Sequence, residues 1–262
     1  MNAVFLKLGG SLITDKQSVE KLRLGVLGRL ATEIAEAVKN QPETMLVIGH
    51  GSGSFGHVAA NKHGTRQGVN SPEGWKGFVE VSSAAARLNQ IVRESLLEQG
   101  LPVLTVQPSA SVICHDGNIV TMETRTISEA LSEGIIPLVY GDVAFDEVRG
   151  GTIISTEEIL GFLAPIIKPE RILLAGQAPG VYDAGEKVIP LINRRNIAEY
   201  SSVLGGSSGT DVTGGMFTKV HSMLKLAEEQ LISTTIFSGM VDGAVTKVIN
   251  GKPIDQMTVI QA

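Results

Sequence analysis

Short apolar runs alternate with longer amphipathic stretches along this chain. AVFLKL (3–8), MLVIGH (45–50), PVLTVQ (102–107), IIPLVYGD (135–142) and RILLAG (171–176) have few polar interruptions. Near-continuous hydrophobicity over so short a run is what a parallel strand covered on both faces requires. Between the runs the apolar spacing becomes helical. Over 19–38, Leu22, Val26, Leu27, Leu30, Ile34 and Val38 share one face, and over 79–97 Val79, Ala86, Leu88, Ile91, Leu96 and Leu97 do so less cleanly. Thr126 followed by Glu129 has the spacing of a capping box and predicts a helix start. A further helix is expected at about 214–231, with TTIFSG and VTKVIN as strands after it. Such strand–helix–strand alternation implies right-handed crossovers and a doubly wound α/β sheet.

Two stretches depart from that rhythm. SVICHDGNIVTM (111–122) places Asp-Gly between apolar flanks, a hairpin signal, and VAFDEVRGGTIIS (143–155) reads as a second hairpin. No linker, internal repeat or low-complexity tract divides the 262 residues, and a hydrophobic content of 43% suits one α/β domain or two tightly joined lobes.

Charge and cysteine usage narrow the partners. The net charge is −5 and no basic stripe stands out, which argues against nucleic acid. A single cysteine, Cys114, excludes an internal disulfide framework and fits a reducing compartment. No apolar run approaches the roughly 18 residues of a membrane span, and the first residues lack the long apolar core of a secretion signal. The expectation is a soluble, cytoplasmic protein without a membrane partner.

In open α/β sheets ligands sit beyond the carboxyl ends of the strands. That rule points to the segments after Leu8, Ile48, Tyr140 and Leu174. After the first, KLGGSLITDK sets Lys7 inside an apolar strand, where a cation needs a partner. Gly9 and Gly10 let the backbone approach a ligand, Ser11 adds a hydroxyl, and Lys16 is within reach of the same spot. The Walker A pattern is absent. After the second, GHGSGSFGH offers a run of backbone N–H groups to an anion, with His57 as a donor at its far end and His50 as a structural residue. After the third, Asp142 is placed to orient Lys7 or Lys16 as an ion-pair partner. Further on, GTDVTGGMFTKV brings Gly214 and Gly215 to a helix start, with Asp211 or Thr213 as the cap and Lys219 one turn in.

Glycine-rich anion loops plus lysines at element ends suit two anions held together, and the chemistry that needs this is phosphoryl transfer. Its transition state spreads negative charge over the equatorial oxygens, so positioning and electrostatics do most of the work.

The order KLGGS…K, GSGSFGH, GD…G…STEEI, GVY and DVTGGMxxK resembles the amino-acid kinase superfamily over essentially the whole chain. SFGH and DVTGGMFTK are most similar to the isopentenyl phosphate kinases, with the fosfomycin kinases close by. The resemblance implies a three-layer αβα sandwich around a mainly parallel sheet with hairpin inserts. It implies an acceptor lobe at about 1–168, a nucleotide lobe at about 169–262, and a homodimer. It assigns Lys7, Gly9, Gly10 and Ser11 to the transferring phosphate, Lys16 to the transition state, and Ser52 and Gly53 to the loop between acceptor and donor. Gly51, Gly141, Asp142, Gly151 and His57 fall on the acceptor side, His57 bonding its phosphate. Gly180, Tyr182, Gly215 and Lys219 fall to ATP, which brings Mg²⁺ held mainly by its phosphates and water. Two departures stand out. Ser52 replaces a usual glycine, and GQAPGVY puts Gln177 and Pro179 where relatives commonly carry acids, leaving base preference open.

An isoprenoid acceptor needs an apolar pocket beside the phosphate loop. GWKGFVEVSSAAARL (74–88) supplies one wall in Trp75, Phe78 and Val79, with Ala84 to Ala86 leaving room, or else forms plain helix core. The acceptor classes are thus an alkyl phosphate or a small phosphonate such as fosfomycin. An acetylglutamate or carbamate acceptor does not account for SFGH. A catalytically inactive nucleotide sensor is the remaining alternative, against which the retained Lys7, Lys16, His57 and Lys219 argue.

Overall fold

The computed structural model describes residues 3–15, 18–204 and 215–262, without the side chains of residues 57, 58 and 201–204. The elements begin with β1 (Ala3–Leu8), the helical turn α1 (Gly10–Ile13), α2 (Leu24–Asn40), β2 (Met45–His50), α3 (Gly53–His63) and α4 (Pro72–Glu98). There follow β3 (Val103–Thr105), β4 (Ile113–His115), β5 (Asn118–Thr121), α5 (Arg125–Ser132), β6 (Ile136–Tyr140), β7 (Asp142–Asp146), β8 (Gly150–Ile154) and α6 (Thr156–Ile167). The chain continues through β9 (Arg171–Gly176), β10 (Leu191–Ile192), α7 (Ile197–Leu204), α8 (Gly215–Gln230), β11 (Ser233–Ser238), α9 (Ala244–Ile249) and β12 (Met257–Ile260).

Eight strands form one sheet in the order β10-β12-β11-β9-β1-β2-β6-β3. The run from β11 to β3 is parallel, β12 pairs antiparallel with β11, and β10 lies outside β12 at that edge. Alternation along β1 decides the layers. Val4, Leu6 and Leu8 pack with α2, α4 and α9 on one face, and Phe5 packs with α5, α6 and α8 on the other. The result is the expected three-layer αβα sandwich. Both hairpins form and join in a smaller sheet, β5-β4-β7-β8. Asp116 and Gly117 turn the first at positive φ, and Asp146 joins the two by accepting the N–H groups of Gly117 at 2.6 Å and Arg149 at 2.8 Å.

Three expectations are corrected. VTKVIN is helical, α9, not a strand. Its β-branched composition favours a strand, but Val245, Val248 and Ile249 have helical spacing and bury against α2. Glu33 of α2 takes the N–H groups of Gly243 and Val245 at 3.0 and 2.9 Å, capping that helix from outside. The capping box at Thr126 does not form either. α5 starts at Arg125, whose N–H goes to the Glu123 carboxylate at 2.7 Å. A capping box occurs instead at α6, where Ser155 and Glu158 bond each other's backbone N–H at 3.1 and 2.6 Å. Finally, most of GSGSFGH is helix, because α3 already begins at Gly53.

Among the described residues, no helix is long and apolar enough to cross a membrane.

Candidate active site

The ends of β1, β2 and β9 and the starts of α6 and α8 surround a cavity of about 350 Å³. Its walls include Lys7, Gly9, Gly10 and Ser11 from the first strand end and Gly51, Ser52 and Gly53 from the second. Gly141, Ser155 to Glu157, Gln177 and Lys219 close it from other sides. Main-chain bonds tie the strand ends together, Gly9 N–H to the Ala175 carbonyl at 2.8 Å and Gly51 N–H to the Leu8 carbonyl at 3.0 Å.

The two glycine turns touch through bare backbone. A Cβ on Gly10 would lie 2.4 Å from the Gly53 nitrogen, so only glycine permits this approach. Gly53 also holds φ at +50°, while Ser52 sits at φ −73°, a conformation any residue adopts. Serine in place of glycine therefore costs the loop nothing; the left-handed position is the next one along. Thr14 braces the pair, donating its hydroxyl to the Gly10 carbonyl at 2.8 Å and accepting the Ser54 N–H at 2.9 Å. The N–H groups of Gly10, Ser11, Ser52 and Gly53 find no acceptor among the described residues. They belong to the caps and first turns of two helices, where N–H groups are left over and the dipole favours an anion.

Opposite them stands a charged trio. Glu157 Oε1 lies 2.5 Å from Lys7 Nζ and 3.1 Å from Lys219 Nζ. Lys7 shares its face of β1 with Phe5, pointing to α6, and its sheet neighbour on β2 is Gly49. A Cβ on Gly49 would come 2.5 Å from the Thr156 methyl, so this glycine lets α6 descend far enough to bring Glu157 to Lys7. Burial alone would raise the Glu157 carboxyl; Lys7 and then Lys219 overcome that and hold its pKa down to about 2. The carboxylate is thus ionised between two cations from distant parts of the chain. Glu157 was not a sequence candidate. The available signal was its place after a capping serine, where Glu158 completes the cap and Glu157 is left without a helical role.

Asp142 faces elsewhere than expected. Its carboxylate accepts the N–H of Ser109 at 3.3 Å and of Val143 at 2.8 Å, and burial raises its pKa. The carboxylate against Lys7 is Glu157, because β7 leaves the main sheet at Asp142 and carries that side chain toward the smaller one. Gly151 lies under Phe78 and does not border the cavity, whereas Ile153 and Ile154 of the same strand do. Gly180 packs on Thr258 and Val188, and Tyr182 bridges to Val188; both lie beyond the cavity-lining Gln177 and Ala178. Gly215 opens α8, one turn before Lys219. Lys16, Asp211, Thr213 and Gly214 lie outside the described residues, as does the side chain of His57, whose backbone is in the second turn of α3.

Beside the cavity is a small apolar cluster of Ala59, Ala60, Val69, Phe78, Val81 and Val143, with Trp75 and Ile153 packed against it. Phe78 meets Trp75 edge to face and also contacts Phe145. Ile153 belongs to both regions, so the polar cavity and the aromatic cluster are contiguous. Of the other residues expected in this wall, Val79 points outward and Ala84 joins the main core.

The profile of the amino acid kinase family matches residues 2–238. Isopentenyl phosphate kinase from Methanothermobacter thermautotrophicus is 33% identical over 261 residues, covering 96% of both chains. The chain belongs to the amino acid kinase family, among its isopentenyl phosphate kinases. The isopentenyl phosphate kinase of Methanocaldococcus jannaschii is 36% identical to this kinase over 229 residues, covering 84% of this chain and 86% of the relative. A crystal structure of isopentenyl phosphate kinase superposes with a TM-score of 0.83 at 28% identity, covering 98% of this kinase and all of its own chain.

Proposed function

We propose that this kinase transfers the γ-phosphoryl group of ATP to isopentenyl phosphate, giving isopentenyl diphosphate and ADP. One observation carries the reading: Lys7 and Lys219 meet on Glu157 across a cavity lined by four unclaimed backbone N–H groups. Two phosphates brought together there repel each other, and two lysines with converging amides offset that repulsion. The acceptor phosphate has a second pKa near 6 and is largely dianionic at neutral pH. Its oxygen is already a nucleophile, so the site needs donors that aim and screen it more than a general base.

In this reading Lys7, Lys16 and the amides of Gly10 and Ser11 hold the transferring phosphoryl group. Ser52 and Gly53 stand between donor and acceptor, and His57 donates to the acceptor phosphate. Lys219 and Gly215 take the ATP phosphates, with Gly180 and Tyr182 toward the nucleoside, while Gly51, Gly141 and Asp142 shape the acceptor side. Residues from about 1 to 168 form the acceptor lobe and from about 169 to 262 the nucleotide lobe. The apolar cluster reached through Ile153 supports a hydrocarbon tail over a small polar phosphonate. Mg²⁺ comes with ATP, its charge screening the phosphates. Glu157, the carboxylate at the cavity, is committed to two lysines, which fits a metal carried by phosphate oxygens and water. The cytoplasmic location expected from cysteine usage and the homodimer implied by the resemblance belong to the same proposal.

The test is a panel of isopentenyl phosphate, dimethylallyl phosphate, fosfomycin and acetylglutamate with Mg·ATP, followed by ³¹P NMR. Diphosphate signals from the first two acceptors are expected. Turnover of fosfomycin or acetylglutamate in preference to both would overturn the assignment.

A further inference from the structure

His50 ends β2 directly before the glycine turn. It is fully buried and stacks flat on Tyr140, with ring centroids 5.6 Å apart. Its Nδ1 lies 3.2 Å from the Gly51 carbonyl oxygen, and its Nε2 lies 3.1 Å from the Asn89 amide nitrogen. Asn89 in turn accepts the Thr105 hydroxyl at 2.9 Å.

This chain of bonds can run in one direction only. A carbonyl oxygen has no proton to give, so Nδ1 must carry one. Burial pushes the pKa of His50 down to about 4, so the ring is neutral near pH 7 and Nε2 is bare. Nε2 then accepts from the Asn89 amide, whose oxygen is left for the Thr105 hydroxyl. Turning the Asn89 amide over would put the proton on Nε2 and leave Nδ1 and the Gly51 oxygen as two acceptors facing each other.

The bond at Gly51 also orients the next amide. In a trans peptide the carbonyl and the following N–H point in opposite directions, and the described residues contain no cis peptide. With the Gly51 oxygen drawn to the buried imidazole, the Ser52 N–H is turned the other way, at a residue lining the cavity. The His50 carbonyl secures the same corner, accepting the Thr156 hydroxyl at 2.6 Å and the Gly141 N–H at 3.2 Å.

We infer that His50 is a positioning residue: held as the Nδ1–H tautomer by Asn89 and Thr105, it anchors the Gly51 carbonyl and thereby aims the Ser52 N–H at the phosphoryl group in transit. The role in turnover rests on the kinase reading; the tautomer and the anchored carbonyl do not.

Two measurements test it. In ¹⁵N-histidine-labelled wild-type protein, the His50 resonance is identified by its loss in His50→Asn. A protonated Nδ1 with a bare Nε2 is expected, and a protonated Nε2 overturns the inference even if the protein proves not to be a kinase. Turnover with Mg·ATP and isopentenyl phosphate is then compared in two variants. His50→Asn sets an amide N–H where Nδ1–H was and should keep kcat within about 10-fold of wild type. His50→Phe keeps the stack on Tyr140 without a donor and should lose about 10²-fold in kcat, the scale of a misplaced reacting group, with little change in either KM. Equal losses in the two variants, or a loss confined to KM, overturn the positioning role. Should His50→Phe fail to fold, Asn89→Leu replaces it. Removing the donor to Nε2 should raise the Nε2–H population and lower kcat together, and a kcat that stays put while the tautomer shifts overturns the inference.

Discussion

Lys7 and Lys219, more than two hundred residues apart in the chain, share one carboxylate oxygen of Glu157 at 2.5 and 3.1 Å. The carboxylate keeps two cations from repelling each other and sets where their ammonium groups sit at the cavity. Removing the charge while keeping the shape, as in Glu157→Gln, should lower kcat about 10²-fold, since small displacements of a reacting group cost that much. Glu157→Asp, one methylene shorter, should fall between. Steady-state kinetics with Mg·ATP and isopentenyl phosphate measures both. A Glu157→Gln enzyme with wild-type kcat would make the trio an incidental ion pair.

The same carboxylate has a signature in stability against pH. Its folded pKa of about 2 lies below the ordinary 4.5. The unfolded chain therefore binds a proton first on acidification. The stabilisation from Glu157 is complete above pH 4.5 and drains away as pH falls toward 2. His50 acts higher up, because its folded pKa of about 4 lies below 6.5, so its contribution is lost between those values as pH falls. Urea midpoints across pH 7 to about 3 should decline in two legs. The upper leg should vanish in His50→Asn and the lower should shrink in Glu157→Gln. An unchanged upper leg in His50→Asn would mean that this imidazole is not what titrates there.

Glycine content separates into two kinds in this protein, and alanine substitutions should tell them apart. Gly10→Ala drives a Cβ to 2.4 Å from the Gly53 nitrogen, against backbone that has no room to yield. Destabilisation of about 1–3 kcal/mol, the usual cost of overpacking, should accompany loss of turnover as the two turns separate. Gly28 lies within α2 with nothing within 4 Å of its would-be Cβ. Gly28→Ala should gain about 0.5–1 kcal/mol from helix propensity alone and leave kinetics untouched. Thermal unfolding of the two variants provides the comparison.

The architecture was legible wherever a single physical demand dominated the residues. β1, β2 and β9 are bounded as their apolar runs are, because a strand buried on both faces tolerates little else. The glycine turns showed themselves because close backbone approach admits no other residue. What stayed hidden depends on partners far away in sequence. Lys7 announced that it needed an anion, but Asp142 and Glu157 are both acids near strand ends, and only the departure of β7 from the main sheet decides between them. VTKVIN reads as strand by composition and folds as helix because Glu33, from α2, caps it. His50 looks like a polar residue beside a loop until Asn89 and Thr105 arrive from α4 and β3 to fix its proton.

The two ends of the reacting pair should respond to different substitutions. His57→Ala, in the second turn of α3, should cut turnover at least about 10²-fold, the scale of losing one transition-state donor. Lys219→Ala should instead act chiefly on the apparent KM for ATP, with a smaller drop in kcat from the freed Glu157. Measuring both constants for both substrates separates the cases. A Lys219→Ala defect confined to the acceptor KM would contradict the nucleotide assignment.

Acceptor length should be governed by the aromatic cluster. Phe78 is buried between Trp75 and Phe145, and Ile153 joins this cluster to the cavity at Lys7. If an alkyl tail lies along Ile153, Phe78 stands where a longer tail would run. Phe78→Leu should shift preference toward longer alkyl phosphates, raising their kcat/KM relative to isopentenyl phosphate, at a cost in stability below the roughly 3–5 kcal/mol of Phe→Ala. Competition between isopentenyl phosphate and a ten-carbon homologue in one reaction reads the ratio directly, free of differences in active fraction. A proportional loss for both chain lengths would place the tail elsewhere and leave Phe78 a packing residue of the α4–β8 contact.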